Sequence, residues 1–488
     1  MSRRFWNLSL IITIFIILSV AFSLIIPVFN APDEPFHFEY IRFLAKEKKL
    51  PNQTSEALSI TTEGFNPPLY YLIGALALAA ISKNKASDIV LHSEQDLIQF
   101  YYYPEAGFSE RIYPPLNPRY IKWGKGSERN MFLTTSQERF PFSGSIRVIH
   151  LLRLISILIA ALTVLFIFKT AEALFPEHKS LALLAAGLCA FNPQFTFLSA
   201  VLNNDNLVAL FSAISLYLLT KLILSEHENP RPRLIMLGAA LGLGLISKVN
   251  ISCLVVISMI GVIYQTLVFY RKSSLGRRLV KVVRNLLFFL MPVGIISGWY
   301  FVRSILLYGF DDPLGWKLQA IQNPGLVLPA QIRMQFLTRA FAPGLFTSFW
   351  GQFDWLTIKL AGWMYGIYGL ISLAGLIGVV MFLSSGVKRK NKREKKTAVC
   401  LALFLAAIVL ALINLIILNF TFLSAQGRLI FPVMGPLCIF MALGVVAGLK
   451  RICRLIGLRQ ELATLAFLGL LIGLNLYSLI GIIYPVYH

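Results

Sequence analysis

The residues best placed for chemistry lie in the string Asp33-Glu34-Pro35-Phe36-His37-Phe38-Glu39, directly after the first apolar segment. Adjacent carboxylates at a membrane boundary repel one another, and both stay ionised only where a cation pairs with them. If a helix begins at Pro35, Asp33 and Glu34 sit at its N-terminal end, where the dipole favours negative charge. The plain account is a helix cap and a solvated face. The chemical account is a general base at Asp33, with Glu34 as second choice, facing the lipid headgroup layer. His37 has no second histidine at ligand spacing, so no zinc site is read here and it joins the substrate-binding candidates.

A second acid, Asp205, lies in the polar turn Asn203-Asn204-Asp205-Asn206 between two apolar stretches. Such residues favour turns for local reasons, but Asp205 falls on the same side of the membrane as Asp33. Three cations join it there: Lys248 in Ser247-Lys248-Val249-Asn250, Arg303 at the end of Ser297-Gly298-Trp299-Tyr300-Phe301-Val302-Arg303, and Arg428 after Gln426-Gly427. A lone basic residue at a helix end commonly snorkels to the interface. Three on one side suit an anionic group such as a phosphate, for which Arg has the better fork. Arg147 and Arg153 are weaker candidates of the same kind. Aromatics gather in Phe65-Asn66-Pro67-Pro68-Leu69-Tyr70-Tyr71 and Ser348-Phe349-Trp350-Gly351-Gln352-Phe353-Asp354-Trp355. An interfacial belt accounts for them; sugar stacking or a lipid groove, with Tyr70 as its binding residue, is the alternative.

The elements that must hold these residues are apolar helices. Of 488 residues, 57% are hydrophobic and 14% charged, far below the charge fraction of a soluble domain. Apolar segments fall at 8–29, 67–82, 147–168, 180–201, 206–224, 232–248, 250–270, 286–306, 357–383, 398–420, 428–449 and 462–484. The net charge of +22 is spread in short basic runs between these segments, the pattern of cytoplasmic loops, so no nucleic-acid partner is expected. The five cysteines lie in or beside apolar helices and form no C-x-x-C pair; they are small core residues. Arg3 and Arg4 precede the first segment and no small-x-small cleavage site precedes Asp33, which describes an uncleaved signal anchor.

Segment 67–82 is short for a crossing and fits an interfacial or re-entrant helix better. Charge decides its place. If it does not cross, the runs Arg271–Arg284, Lys388–Lys396 and Lys450–Arg459 all fall on the side of Arg3 and Arg4; if it crosses, every one moves outside, against the positive-inside bias. The chain is therefore expected to be an all-α polytopic membrane protein of about eleven transmembrane helices. Residues 1–29 form the first, 30–146 a large extracytoplasmic loop, 147–306 helices two to seven, 307–356 a second external loop, and 357–488 helices eight to eleven. The first loop holds 13 of the 23 acidic residues, more than a connector needs. Ile41–Leu50 is expected to be a helix lying on the membrane, and 100–145 a small irregular cap.

In this order and sidedness the motifs resemble the GT-C type of multi-spanning glycosyltransferases, which include protein O-mannosyltransferases, lipid A aminoarabinose transferases and oligosaccharyltransferases. Asp33-Glu34 falls where that group carries an acidic motif, Asn66-Pro67-Pro68-Leu69-Tyr70-Tyr71 resembles the start of its juxtamembrane helix, Arg153-Leu154-Ile155-Ser156 its next helix, and Phe191-Asn192-Pro193 through Asn204-Asp205 its third helix and acidic turn. The whole string through Gln426-Gly427-Arg428 is similar again to a family of bacterial predicted membrane proteins grouped with these enzymes. No Glu-Lys dipeptide precedes Pro67, where Gly64-Phe65-Asn66 stands. The resemblance implies a GT-C-like bundle with juxtamembrane helices in its first loop, and a lipid-phosphate-linked sugar as donor.

The expected function is inverting glycosyl transfer on the outer face of the bacterial cytoplasmic membrane, from a polyprenyl-phosphate sugar to a lipid, glycan or protein acceptor. Asp33 takes the acceptor's proton, Arg303, Lys248 and Arg428 stabilise the leaving phosphate, and Asp205 orients the acceptor or helps to hold a divalent cation. No cofactor is certain. The rivals are a transporter or flippase for lipid-linked sugars, which would place ionisable groups at mid-membrane, and a non-catalytic subunit that presents the first loop to a partner.

Overall fold

The computed structural model describes residues 3–54, 57–58, 60, 62–81, 100–101, 111–112, 138–226, 229–322, 330–384, 391–420 and 422–488. In lipid the backbone must satisfy its own polar groups, and helices dominate. The first loop follows α1 (Arg3–Ile25) and contains α2 (Glu34–Glu47), the pair β1 (Gln53–Thr54) and β2 (Ala57–Leu58), α3 (Leu69–Ile81), and the pair β3 (Phe100–Tyr101) and β4 (Arg111–Ile112). Next come α4 (Gly144–Leu174), α5 (Lys179–Ala190), α6 (Pro193–Ser199), α7 (Asp205–Leu224), α8 (Arg231–Leu245), α9 (Ser252–Phe269) and α10 (Leu275–Tyr308). Three short helices, α11 (Trp316–Gln322), α12 (Ala330–Gln335) and α13 (Phe341–Trp350), lead into the hairpin β5 (Gln352–Phe353) and β6 (Ile358–Lys359). The bundle closes with α14 (Gly362–Ser384), α15 (Lys392–Leu418), α16 (Met434–Ile456) and α17 (Gln460–Tyr477).

Among the described residues nine helices are long and apolar enough to cross a membrane, ten if α5 and α6 count as one span bent by 60°. The bend has a local cause. Asn192 caps α6 by accepting from the Phe195 N–H at 3.0 Å, and Pro193 opens the new helix, so the single expected span 180–201 breaks there. The expected span 232–248 is the 15-residue α8, and the count of eleven is not established. α8 nonetheless retraces α7: Arg233 Nη1 donates to Ser225 Oγ at 2.6 Å beyond the C-terminal end of α7, and Lys248 reaches Asp205 at its N-terminal end.

α3 has 13 residues, or about 20 Å of helix, too short to cross. The helix expected over 41–50 begins seven residues earlier, because Asp33 and the proline behind it start α2. Its Phe38, Tyr40, Ile41 and Leu44 are buried with Tyr71, Ala75 and Leu78 of α3 in one apolar cluster. The expected cap over 100–145 lies for the most part outside the described residues.

The two ends of the bundle differ. At one end meet the close of α1, the starts of α2 and α7, the turn after α8 and the approach to α16. At the other, Lys396 donates to the Ser225 carbonyl at 2.7 Å and Arg278 to the Tyr270 carbonyl at 3.1 Å, so the runs Arg271–Arg284 and the described part of Lys388–Lys396 lie opposite Asp33. Close packing of α14 on α16 ties the late helices together; a Cβ on Gly444 would sit 1.8 Å from the Ala374 carbonyl oxygen, an approach that only a small residue allows.

Candidate active site

The site is organised around the link between α1 and α2. Arg153, fully buried on α4, turns its guanidinium on this link and places all five of its N–H groups. Nε and Nη2 donate to the two oxygens of Glu34 at 2.7 and 2.6 Å. Nη1 donates to the carbonyls of Ser23 and Ile26, both at 2.9 Å, and Nη2 also reaches the Pro27 carbonyl at 3.3 Å. The first two are carbonyls at the end of α1, where intrahelical partners run out. Glu34 in turn accepts from the Phe29 N–H at 2.9 Å and the Leu202 N–H at 3.1 Å. Each of its oxygens thus has two donors. This knot holds a link that passes twice through left-handed backbone, at Phe29 (φ 70°) and Asp33 (φ 64°), conformations that persist only where the surroundings over-determine them.

Asp33 is the next residue before Glu34, yet its surroundings are unlike Glu34's. Its side chain is 27% exposed and accepts from Arg428 Nη2. Arg428 Nε donates to Gln426 Oε1 at 2.6 Å and lies 3.9 Å from Asp205 Oδ2. Asp205 Oδ1 accepts from Lys248 Nζ at 2.7 Å, and the same ammonium donates to Asn204 Oδ1 at 3.1 Å. Asp205 Oδ2 is buried without a hydrogen-bond partner among the described residues. Burial alone would raise the Asp33 carboxyl, but Arg428, His37 and Lys248 together outweigh it and hold the group below its ordinary value. Asp33, Asp205, Lys248 and Arg428 therefore form one chain of alternating charge.

His37 extends this chain to a residue the sequence reading passed over. It lies one turn after Asp33, its N–H bonded to the Asp33 carbonyl at 2.9 Å. Its Nδ1 is 3.0 Å from the Tyr71 hydroxyl and 3.3 Å from Glu63 Oε2. Glu63 Oε2 also accepts from Tyr71 at 2.7 Å and from Asn66 Nδ2 at 2.6 Å. Burial pushes the imidazole below its ordinary value, with Glu63 and Asp33 pulling the other way. The signal for Glu63 was a single acid in Thr62-Glu63-Gly64-Phe65, one short turn ahead of the double proline, while an acid was sought directly beside Pro67.

The other expected residues fall outside this chain. Tyr70 is buried; its hydroxyl pairs with Ser156 Oγ at 2.8 Å and accepts from the Asn203 N–H at 2.9 Å, which fixes the turn leading to Asp205. Arg303 donates to the Pro51 carbonyl at 2.7 Å and makes no ion pair with Asp33 or Asp205 among the described residues. Arg153, read as a weaker anion-binding candidate, faces Glu34.

Asp33, His37 and Glu63 each bring one potential ligand atom within 4.8 Å of the others, so the proximity a divalent cation needs exists. Their hydrogens are arranged otherwise. Asp33 is taken by a guanidinium, and the Glu63 oxygen nearest His37 receives the Tyr71 and Asn66 hydrogens. The geometry assigns no resident cation to this trio.

Residues 147–296, just under a third of the chain, match the family of dolichyl-phosphate-mannose-protein mannosyltransferases. That segment carries Arg153, Asp205 and Lys248, so the expected resemblance to GT-C-type membrane glycosyltransferases is met there in sequence. No curated protein matches. Among solved structures, the chain is similar to the Archaeoglobus fulgidus oligosaccharyltransferase in complex with an inhibitory peptide and a dolichol-phosphate: TM-score 0.47, 14% identity, covering 98% of this chain and 55% of that one. It is also similar to ArnT from Cupriavidus metallidurans bound to undecaprenyl phosphate, with TM-score 0.45, 12% identity, and coverage of 98% and 71%. The chain spans about half the length of the oligosaccharyltransferase.

Proposed function

We propose that this integral membrane protein transfers a sugar from a polyprenyl-phosphate donor to a hydroxyl-bearing acceptor, with inversion, at the extracytoplasmic end of its helix bundle. The observation that carries the reading is the single chain Asp33–Arg428–Asp205–Lys248, assembled from four distant parts of the sequence at the end opposite the basic runs. The bias of positive charge toward short cytoplasmic loops supports reading that end as the outer one. The family match over 147–296 supports a lipid-phosphate sugar as donor.

Asp33 faces the acceptor as base and draws its proton as the hydroxyl oxygen attacks the anomeric carbon. The bond from that carbon to the phosphate oxygen breaks, and the negative charge that gathers on the phosphate is met by Arg428 and Lys248, a preorganised pair in a partly dehydrated site. Asp205, with one oxygen uncommitted, orients the acceptor. Glu34 is not a second base in this account: both of its oxygens are filled, and it fixes the backbone that presents Asp33. Arg303 holds the loop after α2 in place.

The test is transfer of label from radiolabelled polyprenyl-phosphate sugars to a membrane lipid or glycan extract, wild type beside Asp33→Asn. The account expects transfer by wild type and a loss of turnover of about 10²–10⁴-fold in the variant. Failure of the folded wild type to transfer from any such donor, while it still binds polyprenyl phosphate, would return the flippase and presenting-subunit readings to first place.

A further inference from the structure

A carboxylate locked to an arginine is a poor final home for a proton, since protonation removes half of an ion pair. The neighbouring hydrogens point to another. The Tyr71 hydroxyl has one hydrogen, and it goes to Glu63 Oε2 at 2.7 Å. The Tyr71 hydroxyl oxygen itself accepts from Asn204 Nδ2 at 3.1 Å. The 3.0 Å contact between Tyr71 and His37 Nδ1 can then be a hydrogen bond only if Nδ1 carries the hydrogen and donates it. A neutral imidazole has one N–H, so Nε2 bears the lone pair. That nitrogen is buried, on a side chain only 2% exposed, and has no hydrogen-bond partner among the described residues. A buried acceptor without a donor is destabilising, and a bound donor group relieves it.

We propose that the proton drawn from the attacking hydroxyl comes to rest on His37 Nε2, with Glu63 and Tyr71 as positioning residues that fix the tautomer and leave that nitrogen open. The proposal rests on the sugar-transfer reading above. In the step, Asp33 draws the proton as the acceptor O–H bond breaks and passes it on, and an Nε2–H bond forms on the neighbouring His37, giving an imidazolium. The oxygen's electron pair makes the new bond to the anomeric carbon, and the pair of the old bond leaves on the phosphate. Asp33 ends the step as it began, an ionised carboxylate. The imidazolium lies between Glu63 and Asp33, whose negative charges stabilise it, and sheds its proton to water as the products leave. The groups facing His37 are Asp33 on its own helix, Tyr70 and Tyr71 on α3, Glu63 on the turn before it, Asn204 before α7, Lys248 after α8 and Arg428 before α16; the two cations oppose protonation until the anionic phosphate is bound beside them.

The experiment has two arms on full-length protein in detergent. In the first, ¹⁵N-histidine correlation spectra at pH 7.5, with the His37 signals assigned by their loss in His37→Gln, read the tautomer without any substrate. The expected result is a protonated Nδ1 and a bare Nε2, with Glu63→Gln and Tyr71→Phe giving a mixture. A protonated Nε2 in the wild type overturns the proposal. In the second arm, kcat and KM for label transfer are compared for wild type, His37→Gln, Glu63→Gln and Asp33→Asn. The expected result is a fall in kcat of about 10²–10⁴-fold for His37→Gln with KM within a few-fold, and a fall of roughly ten-fold or more for Glu63→Gln, which keeps His37 but loses the tautomer lock. Wild-type turnover by His37→Gln beside an inactive Asp33→Asn overturns the relay and leaves the transfer reading intact. A wild type that transfers nothing overturns both.

Discussion

Asp33 and Glu34 are neighbours in the chain, of the same charge type, and each is paired with one arginine. Glu34 is sealed: Arg153 and two backbone N–H groups fill its oxygens, and neither member of the pair is exposed. Asp33 has a single strong donor, an exposed edge, and a chain of charged groups leading away from it. A carboxylate with every lone pair committed can fix a backbone but cannot take a proton from a substrate. A carboxylate held from one side can do the second. The αL turn at Asp33 keeps the two side chains on different tasks, one facing the knot and the other the rim.

The comparison breaks most severely at Arg153. Arg153→Met leaves Glu34 buried and unpaired, and the account expects a loss of about 3–5 kcal/mol of stability, read as a large drop in the thermal unfolding midpoint in detergent. An unchanged midpoint would place the knot among merely tolerated pairs. Arg428→Lys sharpens the other half. It keeps the charge but loses the fork that spans Asp33 and Asp205, so kcat/KM for the phosphate donor should fall roughly ten-fold or more, in line with a charge-assisted hydrogen bond of about 1.5–3 kcal/mol, while the unfolding midpoint moves little. An unchanged kcat/KM would detach Arg428 from the phosphate.

The smallest expected effect is in pH. His37 is held below its ordinary value of 6.5 by burial, so as pH falls below 6.5 the unfolded chain takes up a proton that the folded one resists. Its contribution to stability is present above 6.5 and is lost as pH drops through the folded value, with a slope of at most about 1.4 kcal/mol per pH unit. Asp33, also held below its ordinary value of 3.8, adds a loss only at pH below that. Unfolding midpoints measured from pH 7 to 5 should decline, and His37→Gln should flatten part of the decline. An equal slope in that variant would remove His37 from the buried neutral groups.

Much of this architecture is legible in the sequence because long apolar runs and basic loops are local signals: α1, α4, α7, α9, α10 and α14–α17 all fall on segments read that way, and α3 is short where its apolar run is short. The break at Asn192-Pro193 carries a cap-and-proline signal, yet the apolar run around it reads as one span. The pairings are a different matter. Asp33 and Arg428 are 395 positions apart, and Glu34 and Arg153 are 119 apart; nothing local says which acid takes which arginine. Both acids look like catalysts in the string Asp33-Glu34, and only the packing of α4 against the end of α1 shows that one is consumed by structure. Glu63 escaped notice because its role comes from Tyr71, which stacks on Tyr40 with ring centroids 4.0 Å apart and so turns its hydroxyl toward the acid.

The most direct test of this division is to measure sugar transfer and unfolding midpoint together for Asp33→Asn and Glu34→Gln in one polyprenyl-phosphate assay. The account predicts that Asp33→Asn unfolds within a few degrees of wild type and loses turnover by about 10²–10⁴-fold, while Glu34→Gln loses stability first. Near-normal turnover by a well-folded Asp33→Asn would contradict it and remove Asp33 from the reaction.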